Sequence, residues 1–143
     1  MTTLYFAYGS NMEAVRMRVR CPDAISLGIA RLAQHRFIIN RRGVATIVHE
    51  PPSKVYGVLW RISSCDERSL DNYEGVSSGL YTKDTVAVLV SGNVHKDVMT
   101  YIASDNEVGA SRSGYIERIV DAAQYWQLPP HYRQELEQWK TDA

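Results

Sequence analysis

Three observations predict an α+β fold. Residues 24–62 are almost continuously β-favouring, reading ISLGIARL, HRFIIN, VATIVHE and KVYGVLWRI. Helical signals lie before and after this stretch but not inside it, so strands and helices do not alternate as parallel βαβ units do. Gly28, Gly43 and Gly57 punctuate the strands where a sheet has to bend, which suits a curled antiparallel sheet or a small barrel.

In chain order, Thr3 to Tyr8 is aromatic and apolar and reads as a strand that Gly9 and Ser10 break. Asn11 is placed as the N-cap of a short helix through about Val19, and Cys21-Pro22 stops that helix because the residue before proline is pushed out of the α region. The long β stretch is then expected as several short strands, with a turn at Pro51-Pro52-Ser53. Ser64-Cys65-Asp66-Glu67 reads as a capping box opening a helix through about Tyr73, with Gly75 as its left-handed stop. Leu80–Val90 and Val94–Ala103 form a hairpin across Ser91-Gly92-Asn93. After a polar loop at 105–113, Ile116, Ile119, Val120 and Ala123 recur at helical spacing over Tyr115 to Trp126. Pro129 and Pro130 open a last helix, HYRQELEQWK.

The chain has 143 residues, enough to bury a core as one domain over 1–143 without disulfides or metal. A content of 45% hydrophobic and 22% charged residues is that of a folded globular protein rather than a disordered one. The N-terminus has no signal-peptide pattern and no apolar run is long enough to span a bilayer, so a cytoplasmic location and no membrane partner are expected. Zero net charge argues against nucleic acid as a partner. The charge is uneven: residues 1–50 hold seven arginines (16, 18, 20, 31, 36, 41 and 42) against Glu13, Asp23 and Glu50. Most of these read as a solvated basic face. Cys21 and Cys65 read as free thiols.

Two places can carry chemistry. The strand-to-helix turn in YFAYGSNM leaves backbone N–H groups unpaired and pointing outward, where they can hold a carboxylate or a developing oxyanion. Glu74, in LDNYEGV, falls at the negative pole of a helix. That position, with burial, raises a carboxyl pKa toward the range a general acid/base needs. His35, His49, His95 and His131 lack ligand spacing, so no metal site is expected. Tyr56, Tyr101, Tyr125 and Tyr132 read as core or rim aromatics.

Taken together, YFAYGSNM, GVATIVHEPPSKVYGVLWRI and LDNYEGVSSGLY resemble the γ-glutamylcyclotransferase family, which includes γ-glutamylamine, avirulence-induced-gene-like and butirosin-biosynthesis members. The resemblance is dense from Leu4 to Tyr81 and looser through SRSGYIERIVDAAQYWQLPPHYRQEL. It implies a small mixed, mostly antiparallel barrel flanked by helices. It also implies cyclisation of a γ-glutamyl amino acid or amine to 5-oxoproline, with no cofactor and no metal. By the same resemblance Glu74 is the acid/base, while Tyr8, Gly9, Ser10, Asn11, Met12, Tyr81 and Tyr115 bind the substrate. Whether the YGSN turn holds the α-carboxylate or the oxyanion stays open, as does monomer against homodimer. A non-catalytic small-anion-binding module, or another acyl transfer or amide hydrolysis on the same fold, is the alternative.

Overall fold

The computed structural model describes residues 1–140. Five strands, β1 (Thr2–Ala7), β2 (Ile25–Ile39), β3 (Ala45–Ser63), β4 (Tyr81–Val90) and β5 (Asn93–Ala103), close into a barrel in the order β1-β3-β2-β4-β5. Four helices, α1 (Ala14–Arg20), α2 (Ser64–Tyr73), α3 (Tyr115–Tyr125) and α4 (Pro130–Glu137), accompany it. All pairings are antiparallel except the closing one, where β1 meets β5 in parallel at Tyr5 and Met99. The α+β class and the mixed barrel are as expected.

The β stretch differs from expectation. The four short strands are two long ones, because β2 and β3 stay paired from Ile25 opposite Arg61 to Ile39 opposite Ala45. Local breakers are absorbed as irregularities: Gln34 turns to φ 63° where the register shifts between Ala33 and His35. Pro51 and Pro52 fall opposite that shift, where a missing N–H costs no ladder bond. The anticipated turn at Pro51-Pro52-Ser53 is therefore part of β3.

Gly57 shows why the barrel can close tightly. A Cβ placed there would lie 2.2 Å from the carbonyl oxygen of Ala7 and 2.9 Å from the Phe6 ring. The backbone of β1 thus rests directly on β3 at the residue before the YGSN turn. Phe6, Ile39, Ile47, Leu59 and Ile62 fill the interior with essentially no exposure. On α3 the expected face of Ile116, Ile119, Val120 and Ala123 is buried, and Tyr132 and Leu136 do the same for α4.

Helix α2 begins one residue earlier than the sequence frame suggested. Ser63, not Ser64, is the N-cap: its Oγ accepts from the Asp66 amide at 3.1 Å and its own N–H donates to Asp66 Oδ2 at 3.2 Å. Both frames satisfy the S-x-x-D/E pattern. The later one loses because Glu67 is held elsewhere, by Lys83 Nζ at 2.7 Å and Thr3 Oγ1 at 3.2 Å. Ser63→Ala is expected to cost about 1 kcal/mol of unfolding free energy, read by urea denaturation, because the Asp66 amide loses its side-chain acceptor while the Ser63 N–H keeps the Asp66 carboxylate. Gly75, at φ 63°, ends the helix as expected.

Asn11 is not a helix cap. Residues Ser10–Met12 form a separate 3-10 turn, and α1 starts after Glu13 with no side-chain cap. The Asn11 side chain turns inward instead, and is 3% exposed.

Candidate active site

The strand end, the α2 end and the hairpin meet at one mouth of the barrel. There Tyr8, Gly9, Ser10, Asn11, Glu74, Tyr81 and Tyr115 line a single narrow cleft of about 40 Å³. That is room for a few waters or one small polar group. Tyr5, Ala45 and Tyr101 complete its walls.

The anion-binding potential of the turn is present in the backbone. The Met12 and Glu13 amides bond back to the Gly9 and Ser10 carbonyls at 3.0 and 3.2 Å. Among the described residues, those of Ser10 and Asn11 have no backbone acceptor. At Gly9 a Cβ would meet only Ala45 Cβ, at 3.4 Å, and the Tyr115 hydroxyl, at 3.7 Å. Both belong to the cleft, so the glycine keeps that space open. Met12 is placed differently from expectation. It has no exposed surface, sits in the core and uses its carbonyl to accept from Trp126 Nε1 at 2.7 Å. Its amide is already bonded, so neither part of it faces a ligand.

Glu74 is the residue that ends α2, its N–H bonded to Leu70 O at 2.8 Å. Asn11 Nδ2 donates to Glu74 Oε1 at 3.2 Å and to the Tyr5 hydroxyl at 3.0 Å. Asn11 Oδ1 in turn accepts from Arg20 Nη1 at 2.9 Å, and the Arg20 guanidinium lies 4.1 Å above the Tyr73 ring. Burial raises the Glu74 pKa above the ordinary carboxylate range, against the opposing pull of Arg20, the Asn11 hydrogen bond and Arg16. Burial rather than the helix end is the leading cause.

The tyrosines hold the frame. Tyr81 donates to the Ala45 carbonyl at 2.7 Å, and the Ala45 amide donates to the Tyr115 hydroxyl at 3.0 Å, so the first residue of β3 is gripped from both sides. Tyr8 donates to the Tyr101 carbonyl, and Tyr101 donates to Asp71 Oδ1 at 2.7 Å. Burial pushes all five phenol pKa values upward, and the nearby Glu74 charge pushes them further. They stay neutral hydrogen-bonding groups in the physiological range. Glu74 is left as the cleft's proton carrier.

Sequence reasoning missed Tyr5, Ala45, Tyr101 and Arg20. In sequence Tyr101 reads as a core or rim aromatic; it reaches the cleft because β5 closes on β1, a pairing between strands ninety-odd residues apart that no local pattern announces. Arg20 has a signal, an arginine directly before the Cys21-Pro22 helix stop, but nothing in the sequence separates its role from that of Arg16 or Arg18. Arg41 remains on the surface, paired with Asp105 at 3.1 Å. Cys21 is buried and its thiol is pushed up to about 12, while Cys65 is exposed; both are free. No helix of the described residues is long and apolar enough to cross a membrane, and no group of three or more His, Cys, Asp or Glu among them could hold a metal ion.

A closed five-strand barrel with a buried carboxylate at its mouth, tied to a strand-to-helix turn, defines a class of small α+β proteins with a pocket for one polar group. Residues 54–136 match the AIG2-like family model. Over 94% of this chain and 77% of its own length, mouse gamma-glutamylcyclotransferase is 32% identical. The human protein of that name is 31% identical over 93% of this chain and 76% of its own. A solved structure of a gamma-glutamyl cyclotransferase superposes with a TM-score of 0.91 at 29% identity, covering 99% of this chain and 90% of that one. The chain belongs to the γ-glutamylcyclotransferase family.

Proposed function

We propose that the protein is a γ-glutamylcyclotransferase that uses Glu74 as general acid/base and the YGSN turn as substrate cradle. The observation that carries this is the direct bond between the two: Asn11 of the turn donates to Glu74, inside one cleft walled by neutral tyrosines.

The chemistry asks little of the protein beyond shape, one proton carrier and charge stabilisation. In a γ-glutamyl compound the α-amine and the γ-carbonyl are already linked, so a folded-back substrate places nucleophile and electrophile together. Glu74, as carboxylate, takes a proton from the α-ammonium. The freed nitrogen lone pair attacks the γ-carbonyl carbon, forming the five-membered ring and an oxyanion. Glu74 then returns its proton to the departing nitrogen as the old C–N bond breaks. The second proton of the ring nitrogen leaves with the amine product, which departs as an ammonium. No water is consumed and no electrons are exchanged, so nothing in the step calls for a cofactor or metal.

The free Ser10 and Asn11 amides supply donors for an anionic oxygen, either the substrate α-carboxylate or the oxyanion. Tyr81 and Tyr115 hold Ala45, and with it the cleft wall facing Gly9, in position. In this reading residues 1–143 work as one cytoplasmic domain, monomer or homodimer, on small γ-glutamyl substrates of glutathione metabolism. Neither nucleic acid nor membrane is a partner.

The test is incubation with a panel of γ-glutamyl amino acids and γ-glutamyl amines, following 5-oxoproline. Turnover of at least one member is expected. Thermal stabilisation by panel members without product would instead identify a binding module.

A further inference from the structure

We propose that Arg20 is the positioning residue of this site: clamped against the Tyr73 ring, it fixes the Asn11 carboxamide so that Glu74 presents Oε2, not Oε1, to the substrate. This rests on the cyclotransferase reading and assigns a role that reading does not need.

The argument is one of hydrogen-bond direction. A carboxamide has one acceptor end and one donor end, and flipping it exchanges them. An arginine can only donate. Arg20 Nη1 at 2.9 Å from Asn11 Oδ1 therefore decides which end of Asn11 points away from α1. The amide nitrogen is left facing Tyr5 and Glu74, where it donates to Oε1 at 3.2 Å. In the flipped state Asn11 Oδ1 would face the Glu74 carboxylate, an acceptor against an acceptor, and the Arg20 donor would face an NH₂ group. With Oε1 occupied, proton transfer runs through Oε2.

The planar guanidinium is held in turn by stacking at 4.1 Å on Tyr73, the residue next to Glu74 in the chain. Asn11, Arg20 and Tyr73 thus come from three different segments and converge on one carboxylate. The titratable groups facing Glu74 are Arg16 and Arg20 from α1, Tyr5 from β1, Tyr8 from the turn after it, and Tyr81, Tyr101 and Tyr115 from β4, β5 and α3. The phenols stay neutral, so the two arginines are the charges that set its ionisation.

Two roles, orientation and charge, are separable by experiment. On the high-pH plateau, where Glu74 is ionised in every variant, Arg20→Met is expected to lower kcat about ten- to a hundredfold through loss of alignment. Asn11→Ala is expected to do the same, and the double variant to be within about threefold of the worse single one, because Arg20 acts through Asn11. Arg20→Lys keeps the charge but not the planar stack; it is expected to retain the wild-type acid limb of kcat/KM while remaining slow on the plateau. In Arg20→Met that limb moves to higher pH, since a positive charge that favoured the carboxylate is gone. Additive losses in the double variant, or a plateau rate unchanged in both Arg20 variants, would overturn the proposal.

A second readout needs no turnover and so separates this proposal from the cyclotransferase reading. The ¹³C titration of the Glu74 carboxyl is expected to shift upward in Arg20→Met and to stay near wild type in Arg20→Lys. An unmoved midpoint in Arg20→Met removes the charge role, and Asn11 side-chain NH₂ resonances unchanged in that variant overturn the positioning role, even if no panel member is a substrate. If Arg20→Met does not fold, Arg20→Lys and Tyr73→Leu decide it: both are expected to lower the plateau kcat at unchanged KM, and wild-type rates in both overturn it.

Discussion

Glu74→Gln is expected to reduce kcat for 5-oxoproline release by about a hundredfold or more, with the protein still folded. Glutamine keeps the carbonyl oxygen that Asn11 Nδ2 donates to at 3.2 Å, so the geometry of the turn is retained while the proton carrier is removed. The phenols do not replace it, because burial drives every one of them upward, away from neutrality. Stability moves the other way. A carboxyl whose pKa is raised on folding is held protonated more tightly by the native state than by the unfolded chain. Its contribution is greatest below the ordinary carboxylate pKa and falls as pH rises through the raised native value. At neutral pH the wild type carries that cost and the glutamine variant does not, so the variant's Tm is expected to equal or exceed that of the wild type. The same raised pKa sets activity: kcat/KM falls as pH drops through it, because the attacking amine then has no carboxylate to take its proton. A pH–rate profile and a thermal melt on both proteins check these statements together.

Gly57→Val is expected to cost at least about 3 kcal/mol and to leave little folded protein. The obstacle is backbone: the Ala7 carbonyl oxygen lies 2.2 Å from where the Cβ would be, with the Phe6 ring at 2.9 Å. Side chains can rotate away from a new methyl group, but a strand in a closed barrel can only slide. Here sliding would break the β1–β3 ladder between Thr2–Ser63 and Ala7–Val58. Total stabilities of ordinary domains are about 5–15 kcal/mol, so this single change consumes a large fraction. Any soluble remnant would carry a displaced Tyr8-Gly9 turn and reduced activity. Urea titration of the soluble fraction measures the loss, and a wild-type midpoint would contradict the close approach.

The parts of the site that could be read from sequence are those written in local chemistry. Glu74 was legible because a capping pattern, a helix's worth of residues and Gly75 fix where α2 ends, and the carboxylate is the residue at that end. The α3 face was legible because its apolar residues keep a helical period. Non-local pairing decided the rest. Gln34 and Pro51-Pro52 look like strand ends in sequence, yet β2 and β3 continue past them because their irregularities fall opposite one another. Asn11 has the chemistry of a cap and the position of one; what draws it inward is Glu74, Tyr5 and Arg20, brought from three other segments. Met12 follows the turn in sequence but has its amide bonded, its carbonyl held by Trp126 Nε1 and its side chain buried in the core, which only the packing of α3 reveals.

The central claim is that the substrate's own nitrogen, not water, breaks the γ-glutamyl bond with Glu74 moving the proton. The most direct test is mass spectrometry of products formed from a turned-over γ-glutamyl substrate in H₂¹⁸O. The account predicts 5-oxoproline carrying no ¹⁸O and a free amine, with both lost in Glu74→Gln. Glutamate bearing ¹⁸O in its γ-carboxylate, or unlabelled 5-oxoproline formed at an unchanged rate by Glu74→Gln, would contradict it.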